Sequence, residues 1–174
     1  EIPLRYGENP HQSATFRPHF PLPAEATLAA ARILHGKEMS YNNYVDGDAA
    51  LETARALFAA PAAVIIKHTN PCGAATGKTL AEALAAAWEG DVVSSFGSVI
   101  AVTRPVDLAT AQVLKGRFVE ALIAPSFDPD ALEFLKAKSK DIRLISLDSP
   151  LAAPLRRRLT RPINGGTLTP DANP

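Results

Sequence analysis

The 174-residue sequence has a single cysteine, Cys72, so no intramolecular disulfide framework can form, and the chain suits a reducing compartment. An excess of charge of one sign is also missing. Lysine plus arginine equals aspartate plus glutamate at 18 each, for a formal net charge of zero. That balance excludes the broad basic footprint of a nucleic-acid binder or a membrane-surface protein. It leaves room for a concentrated basic site that takes a small anion. No apolar run reaches the ~18 residues that a membrane span needs. The opening residues EIPLRYGENP lack a charged-then-apolar leader pattern. Four scattered histidines (11, 19, 35 and 68) and one cysteine have no metal-ligand spacing, so no metal site is expected. What remains is a cytoplasmic globular protein, or a piece of one, with neither nucleic acid nor membrane as partner. Its length fits one domain, and 47% hydrophobic content is enough for a sizeable core.

Residues 1–23 are proline-rich with few apolar runs and read as an ordered arm. Residues 26–35 are ambiguous between an alanine-rich helix and a short strand at ARILHG. Asn42 and Asn43 are placed to cap a helix that ends near Phe58, before Pro61, with Val45, Ala49, Leu51, Ala54 and Leu57 along one side. Ala62–Ile66, Ser98–Val102, Val119–Ala124 and Ile142–Ser146 read as buried strands. Between them, Thr79–Trp88 is a strong helix, Asp107 caps a helix to Leu114, and Asp128 caps one to Lys138. The alternation predicts an α/β fold, a layered α/β/α domain with a mixed, largely parallel sheet. Arg156–Arg158 reads as a solvated basic turn, and INGGTLTPDANP as a short strand followed by turn residues.

The richest stretch is VIIKHTNPCG, Val64 to Gly73. A β-branched run ends abruptly in a cation and an imidazole, and a turn-forming string, TNPCG, follows. In open α/β sheets ligands collect beyond strand carboxyl ends. Lys67 could offer charge to a phosphate or a developing oxyanion, and His68 could move protons near neutral pH. The plain alternative is a surface lysine beside a hydrogen-bonded structural histidine. Asn70 adds a polar side chain at the same strand end, and SSFGS (94–98) supplies a second polar loop. Glu120, inside the apolar FVEALIAP, is either an edge residue or a ligand contact. Two rival motifs fall short. GAATGKT (73–79) has three residues between its glycines where a phosphate-cradling loop needs four, so it reads as a loop with a helix start. Pro71–Cys72 matches half of a zinc-deaminase PCxxC, but Ala75 stands at the second cysteine position. Cys72 is better read as a small buried residue than as a nucleophile.

RYGENPHQ (5–12), GKEMSYNN (36–43), VIIKHTNPCG (64–73), SSFGS (94–98) and FVEALIAP (118–125) resemble, in order and spacing, the transformylase part of the AICAR transformylase/IMP cyclohydrolase family. The match is strong over residues 4–125; ALEFLKAKSKDIRLISL still fits, and INGGTLTPD is similar to the family's arginine–glycine–glycine segment. The resemblance implies a cytidine-deaminase-like fold and a metal-free reaction of de novo purine (IMP) biosynthesis. In it, 10-formyltetrahydrofolate, the cosubstrate, gives its formyl group to the 5-amino group of AICAR (aminoimidazole carboxamide ribonucleotide). By resemblance His68 transfers the proton and Lys67 supplies positive charge. Arg5 and Tyr6 hold the nucleotide at its phosphate, and Asn42 and Asn43 line the loop beside it. Asn70, Phe96, Gly97 and Ser98 contact substrate, with Ser98 standing where bacterial relatives more usually carry glycine. Glu120 is an acidic substrate contact.

The resemblance also implies that residues 1–174 are the N-terminal half of a transformylase domain, with an arm (1–23), an α/β core (24–150) and a tail (151–174). The family's cyclohydrolase domain and second half lie outside this sequence. Family active sites draw on both subunits of a homodimer, so the 174 residues alone are expected to be inactive. Two readings from other classes compete, a non-catalytic nucleotide-binding module and a dimer scaffold.

Overall fold

The computed structural model describes residues 1–22, 26–152 and 160–170. The arm contains two short strands, β1 (Ile2–Pro3) and β2 (Thr15–Phe16), paired antiparallel. The ambiguous stretch resolves as strand β3 (Arg32–His35). Next come α1 (Tyr41–Ala56), β4 (Ala62–Lys67), β5 (Asn70–Thr76), α2 (Leu80–Trp88) and β6 (Ser98–Val102). The core is completed by α3 (Leu108–Val113), β7 (Val119–Ala124), α4 (Pro129–Lys138) and β8 (Arg143–Ser146). A small hairpin, β9 (Arg161–Ile163) with β10 (Gly166–Leu168), lies in the tail. The basic run Arg156–Arg158 falls outside the described residues. No helix among the described residues is long and apolar enough to cross a membrane.

Six strands form one sheet in the order β3-β8-β7-β6-β4-β5. The β6–β7 and β7–β8 pairings are parallel, while β3–β8, β4–β6 and β4–β5 are antiparallel. Strands β5 to β8 therefore run one way and β3 and β4 the other, giving the mixed sheet expected. Successive strand residues point to opposite faces. Ile65, Ile100, Leu122 and Leu144 meet Leu84 of α2, Ala111 of α3 and Leu135 of α4. Val64, Ile66, Val99, Ala121, Ile123 and Ile145 meet Ala50, Leu51 and Ala54 of α1. With helices on both faces, the inner strands read as continuous apolar runs rather than alternations.

The start of α1 differs from expectation. Its N-cap is Ser40, whose hydroxyl accepts from the Asn43 amide, while the Asn43 side-chain oxygen accepts from the Ser40 amide. This reciprocal capping box places Asn42 and Asn43 inside the helix rather than ahead of it. The buried face runs through Asn43, Gly47, Ala50, Leu51, Ala54 and Arg55, and Val45 is left exposed. Arg55 can lie in that face because it donates to the Ala26 carbonyl and to Glu52. Asp107 caps α3 through its side chain as expected, and Thr79, expected as the first helical residue, is instead the N-cap of α2. Asp128 stands at the N-cap of α4 but makes no side-chain cap bond; Pro129 pre-sets the first turn instead.

A second difference is β5. Residues Asn70–Thr76, read as turn and loop, are in fact an edge strand paired antiparallel with β4, and only His68 and Thr69 turn. Small and polar residues at the sheet edge carry no apolar alternation, which hides the strand in sequence. Pro71 is tolerated there because an edge strand has a side with no partner. The close approach of α2 needs Gly73, since a Cβ on it would stand 1.9 Å from the Ala87 carbonyl oxygen. Gly73→Ala must push α2 away from β5 and is expected to lower stability by about 1–3 kcal/mol. Urea unfolding of the two proteins checks this, and equal midpoints would refute it.

Candidate active site

Because β4 runs against β6, its carboxyl end lies beside the amino ends of β6, β7 and β8. Lys67, Ser98, Glu120 and Arg143 therefore gather at one end of the sheet. The strand-end rule holds for β4 and for β3, which runs the same way, while this is the amino end of β6, β7 and β8. The arm is tied to the same end. The Arg5 amide donates to the Met39 carbonyl (3.0 Å), the Tyr41 amide to the Tyr6 carbonyl (3.1 Å), and Asn42 Nδ2 to the Glu8 carbonyl (3.1 Å). Phe16 stacks on Tyr44 of α1 at 4.5 Å between centroids.

His68 and Thr69 form the whole turn between β4 and β5, with φ of 53° and 62°. Both lie in the left-handed region, which such hairpins usually fill with asparagine and glycine. The Thr69 hydroxyl and Asn70 Nδ2 donate to the His68 carbonyl at 2.7 and 2.8 Å, and the Thr69 amide donates to Asp46 Oδ1 at 2.8 Å. His68 is exposed at the tip. Lys67 is half-buried and its Nζ donates to the Phe96 carbonyl at 2.7 Å. Burial pushes the Cys72 thiol pKa up and nearby Asp91 adds to the push, which keeps the thiol protonated and argues against a nucleophile.

The Phe96 loop is built around its own anchors. Asp91 accepts from the Ser94 hydroxyl (2.6 Å) and amide (2.8 Å), and these bonds hold its carboxyl below the usual range. Gly97, at φ 74°, donates its amide to the Phe118 carbonyl at 2.9 Å. The Phe96 ring is 61% exposed and tilts against Phe118, with centroids 5.0 Å apart. Ser98 is buried, and its hydroxyl has no partner among the described residues, so it lies beneath the loop instead of on its surface.

Glu120 is neither on an edge strand nor unpaired. Its carboxylate accepts from Arg143 Nη1 at 2.5 Å. Arg143 is 2% exposed and also donates Nε and Nη2 to the Glu38 carbonyl, at 3.2 and 2.9 Å. Lys37 pairs with Asp141 at 2.7 Å. These side chains line a cavity of about 60 Å³ with Arg5, Phe118 and Val119. Two of its three cations have carboxylate partners. Arg5 has none among the described residues and lies over the Tyr6 ring at 5.4 Å. The surplus favours an anion.

The expected site residues thus form two groups. Arg5 and Glu120 line the cavity, with the Tyr6 ring against the Arg5 guanidinium, while Lys67, His68, Asn70, Phe96 and Gly97 form the hairpin and its neighbouring loop. The Phe96–Phe118 contact and the Gly97 amide join them. Asn42 binds the arm and Asn43 is taken up by the helix cap. Sequence reasoning missed Arg143, Lys37, Phe118 and Asp46. For Arg143 a signal existed, an arginine in the apolar DIRLIS to match the glutamate in FVEALIAP. The register Ala121 opposite Arg143 makes Glu120 and Arg143 neighbours. No three His, Cys, Asp or Glu side chains among the described residues are grouped as a metal site requires.

A model of the AICARFT/IMPCHase bienzyme family matches residues 1–174. The sequence is 52% identical over 168 residues to the bifunctional purine biosynthesis protein PurH of Bacillus subtilis (strain 168), covering 97% of this chain and 32% of that protein. Identity to the PurH of Myxococcus xanthus (strain DK1622) is 48% over 172 residues, covering 97% of this chain and 33% of that protein. The chain spans about a third of the length of the curated relatives it matches. Among solved structures, Acinetobacter baumannii RibD (form 2) aligns with a TM-score of 0.43 at 17% identity, over 59% of this chain and 35% of that one. That likeness is too loose to carry an argument.

Gly97 joins the two groups, so its replacement is informative. A Cβ there would meet the Phe118 ring at 3.2 Å, on a backbone that L residues adopt at a cost. Gly97→Ala is expected to destabilise by about 1–2 kcal/mol. Chemical denaturation reads the loss, and an unchanged midpoint would contradict the strained backbone.

Proposed function

The chain belongs to the AICARFT/IMPCHase bienzyme family, and from that premise we propose that it forms one wall of a site for formyl transfer from 10-formyltetrahydrofolate to AICAR. The observation that carries the reading is convergence. Segments around Arg5, Tyr41, Lys67, Phe96 and Glu120, far apart in sequence, meet at one end of one sheet. Residues 1–174 are read as the first half of a transformylase domain working in purine biosynthesis in the cytoplasm.

The AICAR 5-amino group is a poor nucleophile because the ring carboxamide withdraws its electrons. The site must hold it, remove its proton and stabilise the tetrahedral oxyanion. Arg5, the cavity cation without a carboxylate partner among the described residues, takes the nucleotide phosphate with Tyr6 beside it. The exposed Phe96 ring offers a flat face to a heterocycle. His68 accepts the proton of the attacking amine as nitrogen bonds to the formyl carbon. The bond from that carbon to the folate N10 breaks, and the proton goes to N10. Lys67, whose ammonium is anchored on the Phe96 carbonyl, supplies charge to the developing oxyanion. Glu120, held by Arg143, borders the nucleotide end. The chemistry uses no metal. The remaining wall comes from the second half of the domain and from a partner subunit in a homodimer.

In the full-length protein, His68→Ala is expected to lower kcat about 100-fold or more while leaving the fold intact. Steady-state formyl-transfer assays with circular dichroism read both, and undiminished turnover would overturn the assignment. The isolated 174-residue chain should turn over little or not at all, and full activity from it would sink the one-wall reading. Sedimentation of the full-length protein at several concentrations should give a dimer. A monomer throughout would remove the shared-site element.

A further inference from the structure

We propose that Asp46 is a positioning residue for His68, acting through the backbone of the hairpin turn; its kinetic consequence rests on His68 being the proton-transfer group. The turn is strained as built. His68 and Thr69 both adopt positive φ with neither glycine nor asparagine to ease it, and such conformations persist only where the surroundings impose them. Two of the bonds holding the turn are internal. The Thr69 hydroxyl and the Asn70 amide group both donate to the His68 carbonyl, within two residues of it, and would follow the turn into another shape. The Asp46 bond is different in kind. Asp46 belongs to α1, whose neighbouring residues Gly47 and Ala50 are buried against the sheet. Its carboxylate takes the Thr69 amide at 2.8 Å from 23 residues away. In a hairpin closed by the Lys67–Asn70 pair, that amide points away from the ladder, and among the described residues Asp46 is its partner. A charge-assisted bond from a rigid helix therefore fixes which way the tip faces. Lys67 is fixed separately, by its bond to the Phe96 carbonyl. The two adjacent side chains are thus aimed by different elements, Lys67 by the loop before β6 and His68 by α1.

The test compares Asp46→Ala with Asp46→Asn in the full-length protein. Asparagine keeps an acceptor oxygen and loses the charge; alanine loses both. Asp46→Ala is expected to lower kcat about 10–100-fold with KM for both substrates within about threefold, and Asp46→Asn to stay within about threefold of wild type. Hydrogen exchange read by mass spectrometry over residues 67–72 should speed up in Asp46→Ala and not in Asp46→Asn. Unchanged exchange in Asp46→Ala, or an Asp46→Asn variant as impaired as the alanine one, would overturn the proposal. Failure of the proton-transfer reading is separable. If His68→Ala keeps full activity, that reading falls, while exchange at the turn still decides whether Asp46 holds it.

Discussion

The architecture depends on one buried pairing, β4 laid antiparallel against β6 from Ala63–Val102 to Ile66–Val99. β6, β7 and β8 are joined through helices and run parallel, which alone would put all their carboxyl ends at the same end of the sheet. β4 reverses this locally. Its residues Ala62 to Ile66 are almost fully buried, held between α1 on one face and α2 on the other. Moving its register by a single residue would turn Val64 and Ile66 toward the wrong layer. The apolar strand therefore fixes where Lys67 and His68 emerge, and the candidate site inherits its position from core packing.

Around that strand end, buried charge organises the rest. An arginine as deeply buried as Arg143 is tolerated only with its charge paired, because an unpaired buried charge is strongly destabilising. Its partners are Glu120 on β7 and the Glu38 carbonyl just before α1. One guanidinium so ties β7 and β8 to the segment that starts α1, and the arm docks on that same segment through Met39, Tyr41 and Asn42. Glu120 and Asp141 are neutralised by Arg143 and Lys37, which leaves Arg5 as the positive feature of the cavity. Two structural ion pairs thereby leave the cavity with the sign of Arg5.

Legibility varied with how much apolar surface each element buries. β6 and β7 were placed residue for residue, since strands covered on both faces are uninterrupted Val, Ile, Leu and Ala runs. The cap at Asp107 was legible because a short side-chain acceptor immediately precedes the helix, whereas Thr79 was read into α2 and is its cap. At α1 the same rule pointed to the asparagines, although Ser40 held the capping position and Asn43 completed the box. β5 was illegible, since NPCGAAT forms an edge strand through pairing with β4 and contact with α2, neither of which is local. Among site residues, Lys67, His68 and Gly97 announced themselves through local context. Arg143, Phe118 and Asp46 did not, because their contacts lie across strands or between α1 and the hairpin.

By itself the sequence determined the α/β class, the strands of the sheet centre, the family, and a strand end bearing a cation and an imidazole. These follow from periodicity, composition and short motifs, all carried by contiguous residues. Tertiary structure alone decided which strands neighbour which and that β4 opposes its neighbours. It also decided that Glu120 is held by Arg143 and that the turn at His68 is strained and held by Asp46. Each of these depends on pairing register and on contacts between residues distant in the chain, and the free energy of such contacts exists only once the core has brought them together.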